Sequence, residues 1–371
     1  MTTSIREISI SDKHQVRHFI ELERVFMRDY PLFVSDFDND VAHRITGKSA
    51  YFKDCLVKNI IANDGNKDVA RCMALINQKY QKAKKEKVGF IGYFAAEANS
   101  AQHVKVMLEH AENWLQENGV ERVIAPYNGS MWFGAGTLIT DFDQEPKVPY
   151  FWAPAYYPEY FQSSGYNEEY TLWYYTINLE SEEYKNALEK YQHHDSFSLR
   201  YMNKKQWEND LEILRSLMNN TFQEEWLCCD FDQQEYLEFF NPIKPIYEKE
   251  NIIFAYMNGS PVGYVIGMPI WNSIVRPFKG KLHIFNLFRI LLLRNKYSSV
   301  GLICIGVLDG YHGHGIATAL AVKLFEFYRK KGFSEAGYYF VNDDNTPSHM
   351  LAKKLGGVGK VIAHAYDKKL G

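Results

Sequence analysis

Between an apolar run and an amphipathic one, the stretch "DGYHGHGIATAL" (309–320) sets Gly310, Gly313 and Gly315 around His312 and His314. Two imidazoles this close could ligate a metal, but no further His, Cys or carboxylate set lies nearby to complete a coordination shell. The glycines support different chemistry. Glycine adopts positive φ freely and lets a ligand approach the main chain. The first amides of a helix beginning near Ile316 have no intrahelical acceptors and carry the positive end of the helix dipole. A strand, a glycine loop and a helix N-terminus can therefore cradle a phosphate without a lysine. A Walker loop does not fit, because the Gly-Lys-Ser/Thr ending is missing, and the dinucleotide pattern lacks its third glycine and its acidic ribose partner. On the residues alone, an anion cradle and a plain turn both stand.

The elements that would hold this loop occur twice. "VGFIGYFAAEANSAQHVKVMLEHAENWLQENG" from Val88 and "VGLICIGVLDGYHGHGIATALAVKLFEFYRKKG" from Val300 each read as strand, loop and helix, ending at Gly119 and Gly332. Val104, Met107, Leu108, Ala111, Trp114 and Leu115 in the first helix, and Ala317, Leu320, Ala321, Leu324, Phe325 and Tyr328 in the second, recur at three- and four-residue spacing. The spans from Val88 to Gly119 and from Val300 to Gly332 differ by one residue. Upstream, "NIIANDGNKDVARCMALIN" from Asn59 and "NIIFAYMNGSPVGYVIGMP" from Asn251 each predict a hairpin closed by Asp-Gly or Asn-Gly chemistry. The copies differ at the loop, where the first has "AAEANSAQ" without glycine. The second copy also has about 19 more residues between hairpin and repeated strand, including apolar "LHIFNLFRILLL" (282–293), which could cover an acyl chain or line an interface and is first expected to pack.

A length of 371 residues favours two domains. The boundaries read as an N-terminal domain over 1–180, a polar linker over 181–196, and a C-terminal domain over 197–371. A net charge of −3 offers no broad footprint for nucleic acid or an anionic membrane, so neither is expected as a partner. The N-terminus lacks the apolar core of a secretory signal, no run is long enough to span a bilayer, and a cytoplasmic protein is expected. Five scattered cysteines fit neither a disulfide framework nor a zinc site, and Cys228 and Cys229 read as small buried hydrophobes. The aromatic cluster of Trp132, Phe133, Tyr150, Phe151, Trp152, Tyr156, Tyr157 and Tyr160 reads as core more than as a ligand wall.

With its flanking strand and helix, "HGHGIA" resembles motif A of the GNAT superfamily of acyl-CoA-dependent N-acyltransferases, whose Arg/Gln, Gly and Gly/Ala positions fall at His312, Gly315 and Ala317. "NDDNTPSHMLAKKLGG" resembles the next motif, with Asn345 and Leu355-Gly356 in the expected relation. The likeness covers about 197–371, and the first half resembles a second, degenerate copy. The whole is similar to bacterial tandem-GNAT proteins. That implies an α/β (α+β) fold of two tandem GNAT-like domains, each a mixed, mostly antiparallel sheet flanked by helices.

The resemblance further implies acetyl-CoA or another acyl-CoA as co-substrate, no metal, and an amine of a small molecule or peptide as acceptor. Gly313, His314, Gly315, Ile316, Ala317 and Thr318 would hold the pyrophosphate. The edge of "LICIGVL", ending at Val307, would pair with pantetheine, the Leu308 amide would polarise the thioester carbonyl, and Asn345 would meet the pantetheine arm or brace the loop. The sequence departs from the pattern at three points. His312 replaces Arg or Gln, the helical Tyr that serves as general acid falls at Ala352, and the strand Glu falls at Gly301. An acyl transfer to an amine still calls for a base, and Glu224, Glu225, Asp309 and Tyr311 are the candidates. The missing Tyr and Glu leave room for an acyl-CoA sensor without catalysis, and the duplication for an aminoacyl-tRNA-dependent transferase.

Overall fold

The computed structural model describes residues 2–147, 151–191, 195–223, 225–293 and 296–371. The first half runs β1 (Ser4–Glu7), α1 (Lys13–Phe26), α2 (Asp38–Ile45), β2 (Cys55–Asn63), β3 (Asp68–Asn77), α3 (Gln78–Lys84), β4 (Val88–Ala96), α4 (Ala101–Glu117), β5 (Arg122–Ala125), β6 (Thr137–Leu138), α5 (Tyr157–Ser163) and β7 (Asn167–Asn178). After α6 (Glu182–Tyr191) the plan repeats as β8 (Ser198–Tyr201), α7 (Trp207–Thr221), α8 (Gln233–Phe240), β9 (Ile252–Met257), β10 (Ser260–Ile270), α9 (Asn272–Val275), α10 (Ile284–Leu293), β11 (Ser299–Val307), α11 (Ile316–Lys330), β12 (Glu335–Asn342), α12 (Thr346–Lys354) and β13 (Gly357–Lys369). The expected repeat is present, down to the hairpin turn at Asn258 and Gly259, both at positive φ as the Asn-Gly signal requires.

The halves do not form two separate sheets. A single sheet runs β1-β2-β3-β4-β5-β13-β7-β12-β11-β10-β9-β8, with β6 attached to β13. Two strands are exchanged. β7, which closes the first half in sequence, pairs antiparallel with β12 of the second, and β13, the last strand, pairs antiparallel with β5 of the first. β7 and β13 then pair with each other along ten register positions, Gly357↔Ile177 to Asp367↔Asn167. The polar 181–196 segment, read as a linker, contains α6, whose Tyr184 and Ala187 are buried in the core under α11.

Each half keeps its own core. In the first, α4 buries Val104, Met107, Leu108, Ala111 and Leu115 against β2 and β3, on the stripe its periodicity predicts. In the second, α11 covers one face of the sheet and α7 the other, with Leu214, Leu217 and Met218 turned to Tyr264 and Ile266. The apolar insertion departs from expectation: α10 has no buried residue at all.

Because the halves share one ladder and exchange strands, neither can lose its sheet without exposing the other's edge. Calorimetry of the full chain should therefore give one cooperative unfolding transition, and two resolved transitions would mean that the halves unfold independently.

Candidate functional site

The cradle begins where β11 ends. Gly310, Gly313 and Gly315 all have positive φ, between 78° and 84°, and Gly315 is the N-cap of α11. Only glycine takes this run of left-handed positions without strain. The amides of residues 313–318 have no protein acceptor among the described residues, and no side chain caps the helix. His312 folds back on the strand. Its Nε2–H donates to the Val307 carbonyl oxygen at 2.8 Å, so it braces the loop. The positive charge comes from elsewhere. Lys354 at the end of α12 donates through Nζ to Thr318 Oγ1 at 3.3 Å and to the Tyr191 hydroxyl at 2.6 Å. That hydrogen bond holds the Tyr191 phenol below its ordinary pKa. The Tyr191 ring also walls the loop, since a Cβ on Gly315 would sit 2.7 Å from its Cε1. Sequence reasoning missed both residues, because nothing local in "AKKLGG" or in the presumed linker ties them to a glycine loop more than 30 positions away.

The strand beside the cradle is open. β11 and β12 run parallel but pair only at Gly301↔Gly337 and Leu302↔Tyr338, after which the edge of β11 has no strand partner on that side. β4 and β5 part in the same way in the first half, after Phe90↔Ile124. There the gap is filled by the chain itself. Tyr127 N–H donates to the Ile91 carbonyl at 2.8 Å, and Asn128 Oδ1 accepts from Tyr93 N–H at 2.6 Å. Gly92 allows this approach, because a Cβ there would lie 2.3 Å from the Tyr127 carbonyl oxygen. The first copy thus lacks both the glycine loop and the open edge.

Between the halves lies a cavity of about 1060 Å³. Trp132, Phe133, Phe151, Trp152 and Tyr157 line it from one half, and Phe222, Ile266, Ile303 and Phe340 from the other. The aromatic cluster therefore divides. Tyr160 is core and Tyr156 packs against it, whereas the other described members wall the cavity. Tyr150 lies outside the described residues.

Glu225 reaches this cavity from the loop after α7. Asn345 Nδ2 donates to its Oε1 at 3.1 Å and Asn342 Nδ2 to its Oε2 at 3.4 Å. Burial and the nearby Asp344 push the carboxyl above its ordinary value, opposed by the Asn342 hydrogen bond and Lys84. Asn342 Oδ1, beside the carboxylate, is buried without a protein partner, as is Trp226 Nε1. Residues of the first half hold the loop in place. Lys84 Nζ donates to the Gln223 and Glu225 carbonyls at 2.6 and 3.0 Å, the Tyr127 hydroxyl donates to the Leu227 carbonyl at 2.8 Å, and Tyr170 stacks on Trp226. Leu227 sits at φ 54°, a left-handed position that a side chain takes only under such restraint.

Of the proposed bases among the described residues, Glu225 alone is brought to the cavity. Asp309 is exposed on the loop and Tyr311 packs against the core beneath α11. Glu224 lies outside the described residues. Asn345 has two bonds that the sequence did not suggest: its Oδ1 caps α12 by accepting from Ser348 N–H at 3.0 Å, while its amide holds Glu225. The Leu308 amide is not free for a thioester, because it donates to the Val262 carbonyl at 2.9 Å and extends the β10–β11 ladder. Ala352 is fully buried, and the place of a side chain at Gly301 is taken by the Tyr339 ring, 2.2 Å from where its Cβ would be. Burial raises the Cys228 and Cys229 thiols, so they are poor nucleophiles although they line the cavity. Among the described residues no group of three or more His, Cys, Asp or Glu side chains is placed to hold a metal.

Residues 211–357 match the acetyltransferase (GNAT) family model, the span that holds Glu225, the cradle and the open edge. The match makes the second half similar to a GNAT domain. A tandem GNAT protein from the clavulanic acid biosynthesis pathway superposes on the whole chain with TM-score 0.59 at 10% identity, covering 100% of this chain and 99% of that one. A GCN5-related N-acetyltransferase from Sphaerobacter thermophilus gives 0.52 at 13%, covering 99% and 95%. Among sequence relatives, Protein YghO of Escherichia coli K12 is 20% identical over 97% of this chain and 94% of its own length. A bacterial ceramide synthase of Caulobacter vibrioides is 21% identical over 98% and 97%.

Two measurements test this site. A side chain at Gly313 meets no atom within 4 Å, so G313V strains only the local backbone, at about 1–2 kcal/mol, while filling the cradle. It should weaken acyl-CoA binding by at least about tenfold in calorimetry, roughly 1.4 kcal/mol. Glu225 tests the electrostatics through stability. Its folded pKa lies above the unfolded one, so the stability it contributes is present below the unfolded value and is lost as pH rises through the folded one. E225Q cannot ionise. It should melt higher than wild type at neutral pH, and the difference should vanish below about pH 4.

Proposed function

We propose that this protein transfers an acyl group from acyl-CoA to the amine of a long-chain amino lipid. The observation that carries the reading is Glu225, a carboxyl held by Asn342 and Asn345 in the wall of a large cavity lined mainly by apolar and aromatic side chains. An acetyl group and a small polar amine would leave most of about 1060 Å³ unfilled, since cavities of 300–1,000 Å³ take whole drug-sized ligands. A hydrocarbon chain suits such walls. The name of the Caulobacter relative, a bacterial ceramide synthase, supports the same class of product, an N-acylated long-chain amine.

In this reading the unpaired amides of residues 313–318 and Lys354 hold the CoA phosphates, and the open edge of β11 pairs with the pantetheine arm. The neutral amine attacks the thioester carbonyl, a C–N bond forms and the C–S bond breaks. Ionised Glu225 takes the proton that the amine nitrogen loses, and that proton balances the thiolate, which leaves as the thiol of CoA. Asn342 Oδ1, without a protein partner, is an acceptor for the second N–H of the amine. The first half acts as a frame, because its Lys84, Tyr127 and Tyr170 set the loop that presents the base.

The decisive assay incubates the protein with acyl-CoAs from acetyl to palmitoyl and with a long-chain 2-amino alcohol, a small amine and a peptide, reading thiol release and amide mass. Turnover should be highest with the long-chain amine. E225Q should lower kcat by about 10²-fold with acyl-CoA affinity unchanged. The rate should rise with pH through a value above the ordinary carboxylate range, because only the ionised carboxyl accepts the proton. Acyl-CoA bound with no amide formed from any amine would make the protein a sensor. Binding of tRNA without acyl-CoA would make it an aminoacyl-tRNA-dependent transferase.

A further inference from the structure

α10 is apolar except for Asn286 and Arg289, yet the protein lies against only one side of it. Leu287, Ile290 and Leu291, at three- and four-residue spacing, line the cavity with Leu282 just before the helix, although Leu287 and Leu291 stay about two-fifths exposed. The other face turns outward: Ile284, Phe285, Phe288 and Leu292 are 63%, 80%, 60% and 81% exposed. A helix this apolar is stable only when both faces are covered, and large side chains at this exposure on one stripe mark a surface made for a partner.

The surrounding charge selects the partner. From Asn251 through Leu308 the sequence has no Asp or Glu, whereas Lys or Arg stands at 276, 279, 281, 289, 294 and 296. Arg276 pairs with Glu145, but Lys279, Lys281, Arg289 and Lys296 are exposed and have no carboxylate partner among the described residues. An apolar stripe rimmed by unpaired cations matches the boundary between acyl chains and anionic headgroups of a lipid bilayer. A second copy fits poorly, since a self-complementary contact would bring these cations against their own counterparts. Crossing is not involved, because no described helix is long and apolar enough to span a membrane.

We infer that α10 lies in the surface of an anionic membrane, with Ile284, Phe285, Phe288 and Leu292 among the lipid tails and the cavity mouth opening at the headgroup level. The net charge of −3 hides this, because the carboxylates that balance the basic belt lie elsewhere in the chain. The inference stands apart from the proposed reaction, and its test uses no acyl donor. The full chain is mixed with vesicles of phosphatidylcholine alone and of phosphatidylcholine with equal phosphatidylglycerol, and separated by flotation. Wild type should float with the anionic vesicles at low salt. F285E/F288E/L292E, whose changed residues lie outside the cavity wall, should bind them at least about tenfold more weakly, as should K281E/R289E. Wild type that floats with neither vesicle, or either variant floating as wild type does, overturns the inference. So does light scattering that finds a dimer split by the triple substitution without any vesicle binding, since the face would then join two copies.

Discussion

Everything in the site depends on the exchange of β7 and β13. Each strand closes the sheet of the half it does not belong to in sequence, and their ten-position pairing joins the halves along the middle of one continuous ladder. Backbone hydrogen bonds there leave no freedom for rigid-body drift. That matters because the candidate base does not lie on the framework of its own half. Glu225 sits on a loop whose backbone is held by Lys84, Tyr127 and Tyr170 across the junction, with Leu227 in a conformation that needs such restraint. A looser junction would let the loop relax and would hydrate the carboxyl. Its raised pKa reflects its burial and the nearby Asp344.

The second half reads as a division of labour among backbone, charge and cavity. Backbone amides of the glycine loop present donors, Lys354 brings a cation from the opposite side, and the open edge of β11 offers a ladder without a partner. His312 ties the loop to Val307. The cation beside the loop is Lys354, at the end of α12.

Much of the fold was legible in the sequence because it is written in short-range patterns. The three- and four-residue apolar spacing of α4 and α11, the Asn-Gly turn at 258–259 and the glycines at 310, 313 and 315 each act within a few residues, and all are in place. The strand exchange was not legible, because either partner of β7 would present the same alternation of side chains. The roles of Lys354 and Tyr191 were missed for the same reason, since their neighbours are distant in sequence. Glu225 was named from its place in the family plan, but the features that single it out from Asp309 are tertiary: burial, the two Asn side chains and the cavity. The apolar insertion was misjudged because hydrophobicity alone does not tell packing from exposure, and the missing carboxylates over residues 251–308 were the neglected clue.

The filled gap between β4 and β5 has a thermodynamic meaning. Its occupant, Tyr127–Asn128, is tethered to the strand it completes and so is present at a very high effective concentration whatever the surroundings hold. The gap beside β11 has no tethered occupant, and any ligand that enters it stabilises the fold by mass action, in proportion to the logarithm of its concentration. One chain thus carries two versions of the same opening, one saturated at birth and one that reads the supply of ligand around it.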